Sequence, residues 1–180
     1  MSRPVAAAVL TALLAGLPAT ACSPSASGLP RCNAVERLAL VAQSVPSAGY
    51  LPCITDLPTG WRSSDFHVQN GQTRAKLISD RAPGHPVSVQ LSARCDAGPA
   101  TPLPPRTSGG RSLLLLRSID PRYAGTLFDV FPGGCVTYRF DFERGRHIAL
   151  MADLQSAVGF VARRQLRLEV RRELGVQLGP

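Results

Sequence analysis

Five cysteines, Cys22, Cys32, Cys53, Cys95 and Cys135, constrain this chain more than any other feature, because their pairing decides which distant segments must meet. An odd set leaves one of them without a partner inside the chain. Cys22 stands apart from the rest in its surroundings. It follows Arg3, an apolar run of 13 residues from Val5 to Leu17, and the small-residue segment Pro18-Ala19-Thr20-Ala21. A positive residue, a short apolar run and a small-residue cleavage region in that order form an export signal. The run falls short of the roughly 20 residues of a spanning helix, which makes an uncleaved anchor the lesser reading.

Setting Cys22 aside leaves Cys32, Cys53, Cys95 and Cys135, an even set for the oxidising compartment that an exported chain enters. Four cysteines allow three pairings. The expected one is Cys32–Cys53, closing a short loop around one helix, with Cys95–Cys135 stapling two strands distant in the chain. Parity speaks against the second bridge, since Cys95 continues the apolar face of its strand and Cys135 starts its own on the polar parity. A bulge or a late strand start reconciles them. No pair has C-x-x-C spacing, so neither a metal site nor a cofactor is expected.

With a cysteine directly after small residues, the N-terminal segment resembles the leader of bacterial lipoproteins. The resemblance implies that the Cys22 thiol carries a diacylglycerol group, becomes the first mature residue and holds the protein on the outer face of the cytoplasmic membrane. Ala19 stands where leucine is commonest, and Ala19-Thr20-Ala21 also fits an ordinary secretory site, which makes free secretion the alternative. Ser23-Pro24-Ser25-Ala26-Ser27-Gly28-Leu29-Pro30 has the composition of a tether. The expected organisation is a leader over 1–21, the anchor cysteine and tether over 22–31, and one domain over 32–180. That domain also resembles the small exported lipoproteins of actinobacterial type. This likeness brings no activity and no functional residue beyond Cys22.

The charge balance bears on partners. Lysine and arginine total 20 against 12 acids, a net +8, and every cation except Lys76 is arginine. A field of that sign favours anionic lipid headgroups, cell-wall polymers or nucleic acid. Export sets nucleic acid aside. The expected partners are the membrane through an N-terminal lipid, and anionic lipid, wall polymer or an envelope protein.

Hydrophobic spacing gives the elements. Asn33 lies three before Glu36 as in a capping box, and Val35, Leu38, Ala39, Ala42 and Val45 recur at helical spacing, predicting a helix over 34–45 stopped by Pro46. From Trp61 onward the period becomes two. Phe66 and Val68, then Asn70-Gly71, then Ala75 and Leu77 predict a hairpin. Val87, Val89 and Leu91 alternate with polar residues, as do Val136, Tyr138, Phe140 and Phe142. Leu113 to Leu116 reads as a strand covered on both faces, and Phe128 to Phe131 as another. The segment Asp96 to Gly110 is rich in proline and glycine and, beyond Asp96, holds one charge, Arg106. It is expected to be a mobile loop. Leu150, Met151, Leu154 and Val158 form one helical stripe, with Gly159 as the stop. Leu166, Val170 and Leu174 form the stripe of a second helix over 162–174, with Gly175 at its end. The expected fold is α+β: an antiparallel sheet of about five or six strands, an N-terminal helix and a C-terminal helical pair.

The last helix carries the candidate binding residues. Arg164, Arg167, Arg171 and Arg172 cover the arc opposite its apolar stripe, a basic face able to lie on anionic headgroups, although the solvated face of an ordinary surface helix is the plainer reading. Ser63, Asp65 and His67 have the residue types of a hydrolytic triad and share one strand face. Residues two apart there are about 6.5–7 Å distant and residues four apart about 13 Å, so Ser63 and His67 do not meet on a regular strand. His85 and His147 are isolated in sequence, and no metal, nucleophile-elbow, phosphate-loop or dinucleotide motif is present. Trp61 reads as a core plug, with Tyr50, Tyr123 and Phe131 as residues able to line a cleft with it. The functional expectation is a non-catalytic envelope lipoprotein that binds or scaffolds, and the alternative is a secreted hydrolase whose site assembles only on folding.

Overall fold

A computed structural model describes residues 28–179. The leader, Cys22 and the tether as far as Ser27 lie outside the described residues. The remainder of the expected tether is packed rather than free. Leu29 is buried, its N–H donates to Ser63 Oγ at 2.9 Å, and Arg31 bridges to Ile54. One apolar side chain and a bridge partner are enough to dock this short stretch.

Helix α1 (Val35–Ser44) buries Val35, Leu38, Ala39, Val41 and Ala42 along the expected stripe. Its start differs from expectation in one respect. Ala34, not Asn33, is the N-cap, and no side chain caps the helix. The backbone ahead of it is already committed to a turn, with the Ala34 N–H donating to the Arg31 carbonyl, and to the disulfide at Cys32.

After α1 the chain forms β1 (Tyr50–Ile54), then β2 (Trp61–Gln69) and β3 (Gln72–Ser79) as the hairpin around Asn70-Gly71. The strands β4 (Val87–Ser92), β5 (Thr101–Leu103), β6 (Arg111–Ser118), β7 (Arg122–Phe131) and β8 (Gly134–Glu143) follow. They join β2 and β3 in a seven-stranded antiparallel sheet of order β2-β3-β4-β8-β7-β6-β5. The sheet exceeds the expected five or six strands because β5, a three-residue edge strand containing Pro102, carries too little pattern to read.

A short 3-10 turn, Arg144–Arg146, leads into α2 (His147–Ala157), and α2 gives way directly to β9 (Val158–Ala162) and α3 (Arg163–Leu174). The expected helical pair forms as α2 and α3, but β9 lies between them where the stripe of the first helix was expected to reach Val158. Val158 and Gly159, read as the end of one helix, pair instead with Ile54 and Cys53 in a separate two-stranded sheet. That reversal delivers α3 beside α1.

One face of the large sheet holds the core. Ala75, Leu77, Val89, Leu91, Tyr138, Phe140 and Leu127 line up across neighbouring strands and are buried. Ser44 of α1 meets Thr73 on this face at 2.7 Å, and α2 packs against β8, with its Asp153 accepting from Trp61 of β2. The opposite face carries Gln90, Ser92, Thr137 and Arg139. Leu113 and Leu115 point there too and are half-exposed, while Leu116 is exposed, so β6 is not covered on both faces as expected. Its outer residues border a shallow cleft rather than a second layer.

Both disulfides take the expected pairing, Cys32–Cys53 with Cα atoms 4.9 Å apart and Cys95–Cys135 with 5.9 Å. The first closes the loop around α1. The parity conflict at the second resolves because β4 stops at Ser92, so Cys95 is free of strand alternation when it crosses to the outer face occupied by Cys135.

Candidate functional site

Helix α3 forms where Leu166 and Val170 bury one stripe against the domain, and it ends at Gly175, which adopts the left-handed conformation with φ 67°. Its first residue, Arg163, is the buried cation of the set. The Arg163 guanidinium donates to the carbonyls of Ala42, Val45 and Ala48 and so satisfies the C-terminal end of α1. Burial, with the Arg167 charge second, holds this guanidinium below its ordinary pKa.

The other arginines face outward. Arg164, Arg167, Arg171 and Arg172 are all exposed, as the spacing predicts. At about 100° per residue they span an arc of roughly 140°, and Leu168 falls inside it. Leu168 is 69% exposed, the one apolar side chain on the arginine face. Helical spacing alone places it among Arg164, Arg167, Arg171 and Arg172, but not its exposure. Leu174, expected on the buried stripe, is 37% exposed at the helix end. Arg164, Arg167 and Arg171 make no ion pair or hydrogen bond among the described residues, and Arg172 meets Glu173 at 3.2 Å. Two recesses flank the row. Arg164 and Arg167 border one of about 470 Å³ with Tyr50 and Ser108, and Arg167 and Arg171 border one of about 300 Å³ with Gln177.

A second polar cluster lies inside the core face. Asp129 on β7 is buried, accepts from Ser112 Oγ at 2.6 Å and pairs with Arg106 Nη1 at 2.8 Å. Arg106 also donates to the Gln155 carbonyl at 2.6 Å and to the Val158 carbonyl, and lies over the rings of Tyr138 and Phe160. Burial, with the Asp129 charge second, pushes the Tyr138 hydroxyl well above its ordinary value. Arg106 thus ties the loop to β7 through Asp129 and to α2 and β9 through the Gln155 and Val158 carbonyls. The loop expected to be mobile is therefore pinned, by the one charge it carries beyond Asp96. A cleft of about 650 Å³ beside the clamp is lined by Leu103, Pro104, Pro105 and Leu127 among others.

The triad-like residues separate. Asp65 takes φ 51°, and the β2–β3 register shifts between Ser64 and His67, so a bulge breaks the shared face. Ser63 Oγ accepts from Leu29, and Asp65 pairs with Lys76 at 2.9 Å. His85 Nδ1 is 3.6 Å from Asp141, beyond hydrogen-bond distance, and Asp141 is held by Arg122 at 2.6 Å. His147 lies against Tyr123 with ring centroids 4.3 Å apart and the planes tilted by 31°. The aromatic cleft divides as well. Tyr50 packs on Phe131 and Tyr123 on Phe140, while Trp61 is buried and donates to Asp153 at 2.9 Å.

Among the described residues, no group of three His, Cys, Asp or Glu side chains is placed to hold a metal ion, and no helix is long and apolar enough to cross a membrane. Comparison with protein families, curated proteins and solved structures finds no match.

Proposed function

We propose that this protein is an extracytoplasmic lipoprotein, anchored through Cys22 to the outer face of the cytoplasmic membrane, whose α+β domain binds or scaffolds without catalysis. The observation that carries the reading is the placement of the first staple. Buried Leu29, the Arg31–Ile54 bridge and the Cys32–Cys53 disulfide fix the chain seven to ten residues after Cys22. A folded, oxidised domain directly behind a lipid-bearing cysteine is the arrangement a surface lipoprotein needs. Ser63 is engaged by Leu29, His147 by Tyr123, and His85 lies beyond hydrogen-bond distance of Asp141, which weighs against the hydrolase alternative, since catalysis requires such groups to converge.

Detergent phase partition of the full chain expressed in a bacterial host tests this. The chain is expected in the detergent-rich phase, and Cys22→Ser is expected to move it to the aqueous phase with both disulfides intact. Partition unchanged by Cys22→Ser, or a wild-type chain in the aqueous phase, contradicts anchoring.

A further inference from the structure

We propose that the outward face of α3 docks on the membrane itself, with Arg164, Arg167, Arg171 and Arg172 receiving the phosphates of anionic lipid headgroups and Leu168 entering the headgroup layer. This rests on the anchored reading above and adds to it an orientation and a lipid class.

The composition of the face is the first support. Between Arg164 and Arg172, inside the charged arc, Leu168 stays 69% exposed. Cations around an exposed apolar residue suit an interfacial helix, because the cations hold the phosphates while the apolar residue gains free energy below them. Of the acids on the helix only Glu173 touches the arc, at Arg172 on its edge, 3.2 Å away. Glu169 and Glu173 sit on the flank beyond Gln165, and Gln165 donates to Glu169 at 3.0 Å. Arg164, Arg167 and Arg171 are thus left unneutralised, beside recesses that admit a headgroup phosphate.

The length of chain ahead of the domain is the second support. Gly28 is six residues after Cys22 and accepts a hydrogen bond from Arg37 near the start of α1. Six residues span at most about 20 Å. Ala34 and Arg37 share a recess with Glu173 and Leu174, so the chain enters the domain at the C-terminal end of α3. α3 has 12 residues and measures about 18 Å. An acyl group on Cys22 therefore holds the whole helix within reach of the bilayer, where anionic headgroups attract arginine.

Binding of the full chain to phosphatidylcholine vesicles and to equimolar phosphatidylcholine–phosphatidylglycerol vesicles tests the proposal. The expected affinity ratio is about tenfold or more in favour of the anionic vesicles, declining as salt screens the charges. Arg164→Gln/Arg167→Gln/Arg171→Gln is expected to reduce the ratio to about threefold or less, and the corresponding lysine triple variant to restore it. Leu168→Ala is expected to weaken binding to anionic vesicles severalfold while leaving binding to soluble polyglycerol phosphate unchanged. A ratio near unity for the wild type, or one unaffected by the triple Gln variant, overturns the proposal. Equal loss or equal retention of both ligands in Leu168→Ala does so too, and points to a wall polymer as the partner. An acyl chain on Cys22 strengthens binding to both vesicles alike and cancels in the ratio. A lipidated chain with no ratio therefore defeats the docking face alone, and an unlipidated chain that keeps the ratio defeats the anchor alone.

Discussion

Arg106 Nη1 lies 2.8 Å from Asp129 Oδ2, joining a Pro-rich loop to a carboxylate that is 1% exposed on the core face of β7. Removing the cation leaves a buried charge with only the Ser112 and Tyr138 hydroxyls beside it. Arg106→Met is expected to cost about 3–5 kcal/mol in urea unfolding, and Arg106→Met/Asp129→Asn to recover part of that by discharging the carboxylate. Amide exchange over residues 104–110 is expected to accelerate in the single variant. A loss below about 0.5 kcal/mol contradicts the clamp.

Neighbouring arginines of α3 are expected to behave oppositely. Arg163 serves three carbonyls at the end of α1, so Arg163→Met is expected to destabilise by about 2–3 kcal/mol. Arg164→Gln, on the exposed side, is expected to stay within about 0.5 kcal/mol of wild type. Parallel thermal melts of the two variants check the contrast, and equal effects refute it.

The turn between β7 and β8 is fixed by contact as well as by backbone conformation. Gly133 has φ 72°, and a Cβ there overlaps the Ser47 carbonyl oxygen, in a turn that Ser47 Oγ and the Gly49 N–H bind from the α1–β1 connection. Gly71 has φ 83° with open space around it. Gly133→Ala is therefore expected to be the more damaging, by more than about 1 kcal/mol, than Gly71→Ala in the same chemical-denaturation assay. The reverse order contradicts this packing.

Much of the architecture was readable because it is written in local period. The α1 stripe, the Asn70-Gly71 hairpin and the alternation of β4 and β8 each declare themselves within about ten residues. The pairing of β1 with β9 does not. Pro52 weakens the pattern of one strand, Gly159 resembles a helix stop in the other, and only their meeting across the fold makes either a strand. Arg106 was equally opaque, since a single cation in a Pro-rich loop carries no sign that a buried aspartate awaits it. The arginine face of α3 was legible from spacing, whereas the significance of Leu168 depends on its exposure in the fold.

A pH effect follows from the bulge in β2. The Lys76 hydrogen bond and charge hold the Asp65 carboxyl below its ordinary value of 3.8. A lowered folded-state pKa contributes stability that is present above 3.8 and lost as pH falls through the folded value. Lys76→Met is expected to return Asp65 upward toward 3.8 in a side-chain carbon NMR titration. An unchanged titration refutes the pairing.

The account as a whole turns on Cys22 and the four cysteines behind it, and the intact mass of the protein isolated from its native host, before and after reduction, reads both. The expected result is a mature chain starting at Cys22 with added acyl mass, gaining four hydrogens on reduction of Cys32–Cys53 and Cys95–Cys135. A chain starting at an unmodified Cys22, or one still carrying residues 1–21, contradicts it.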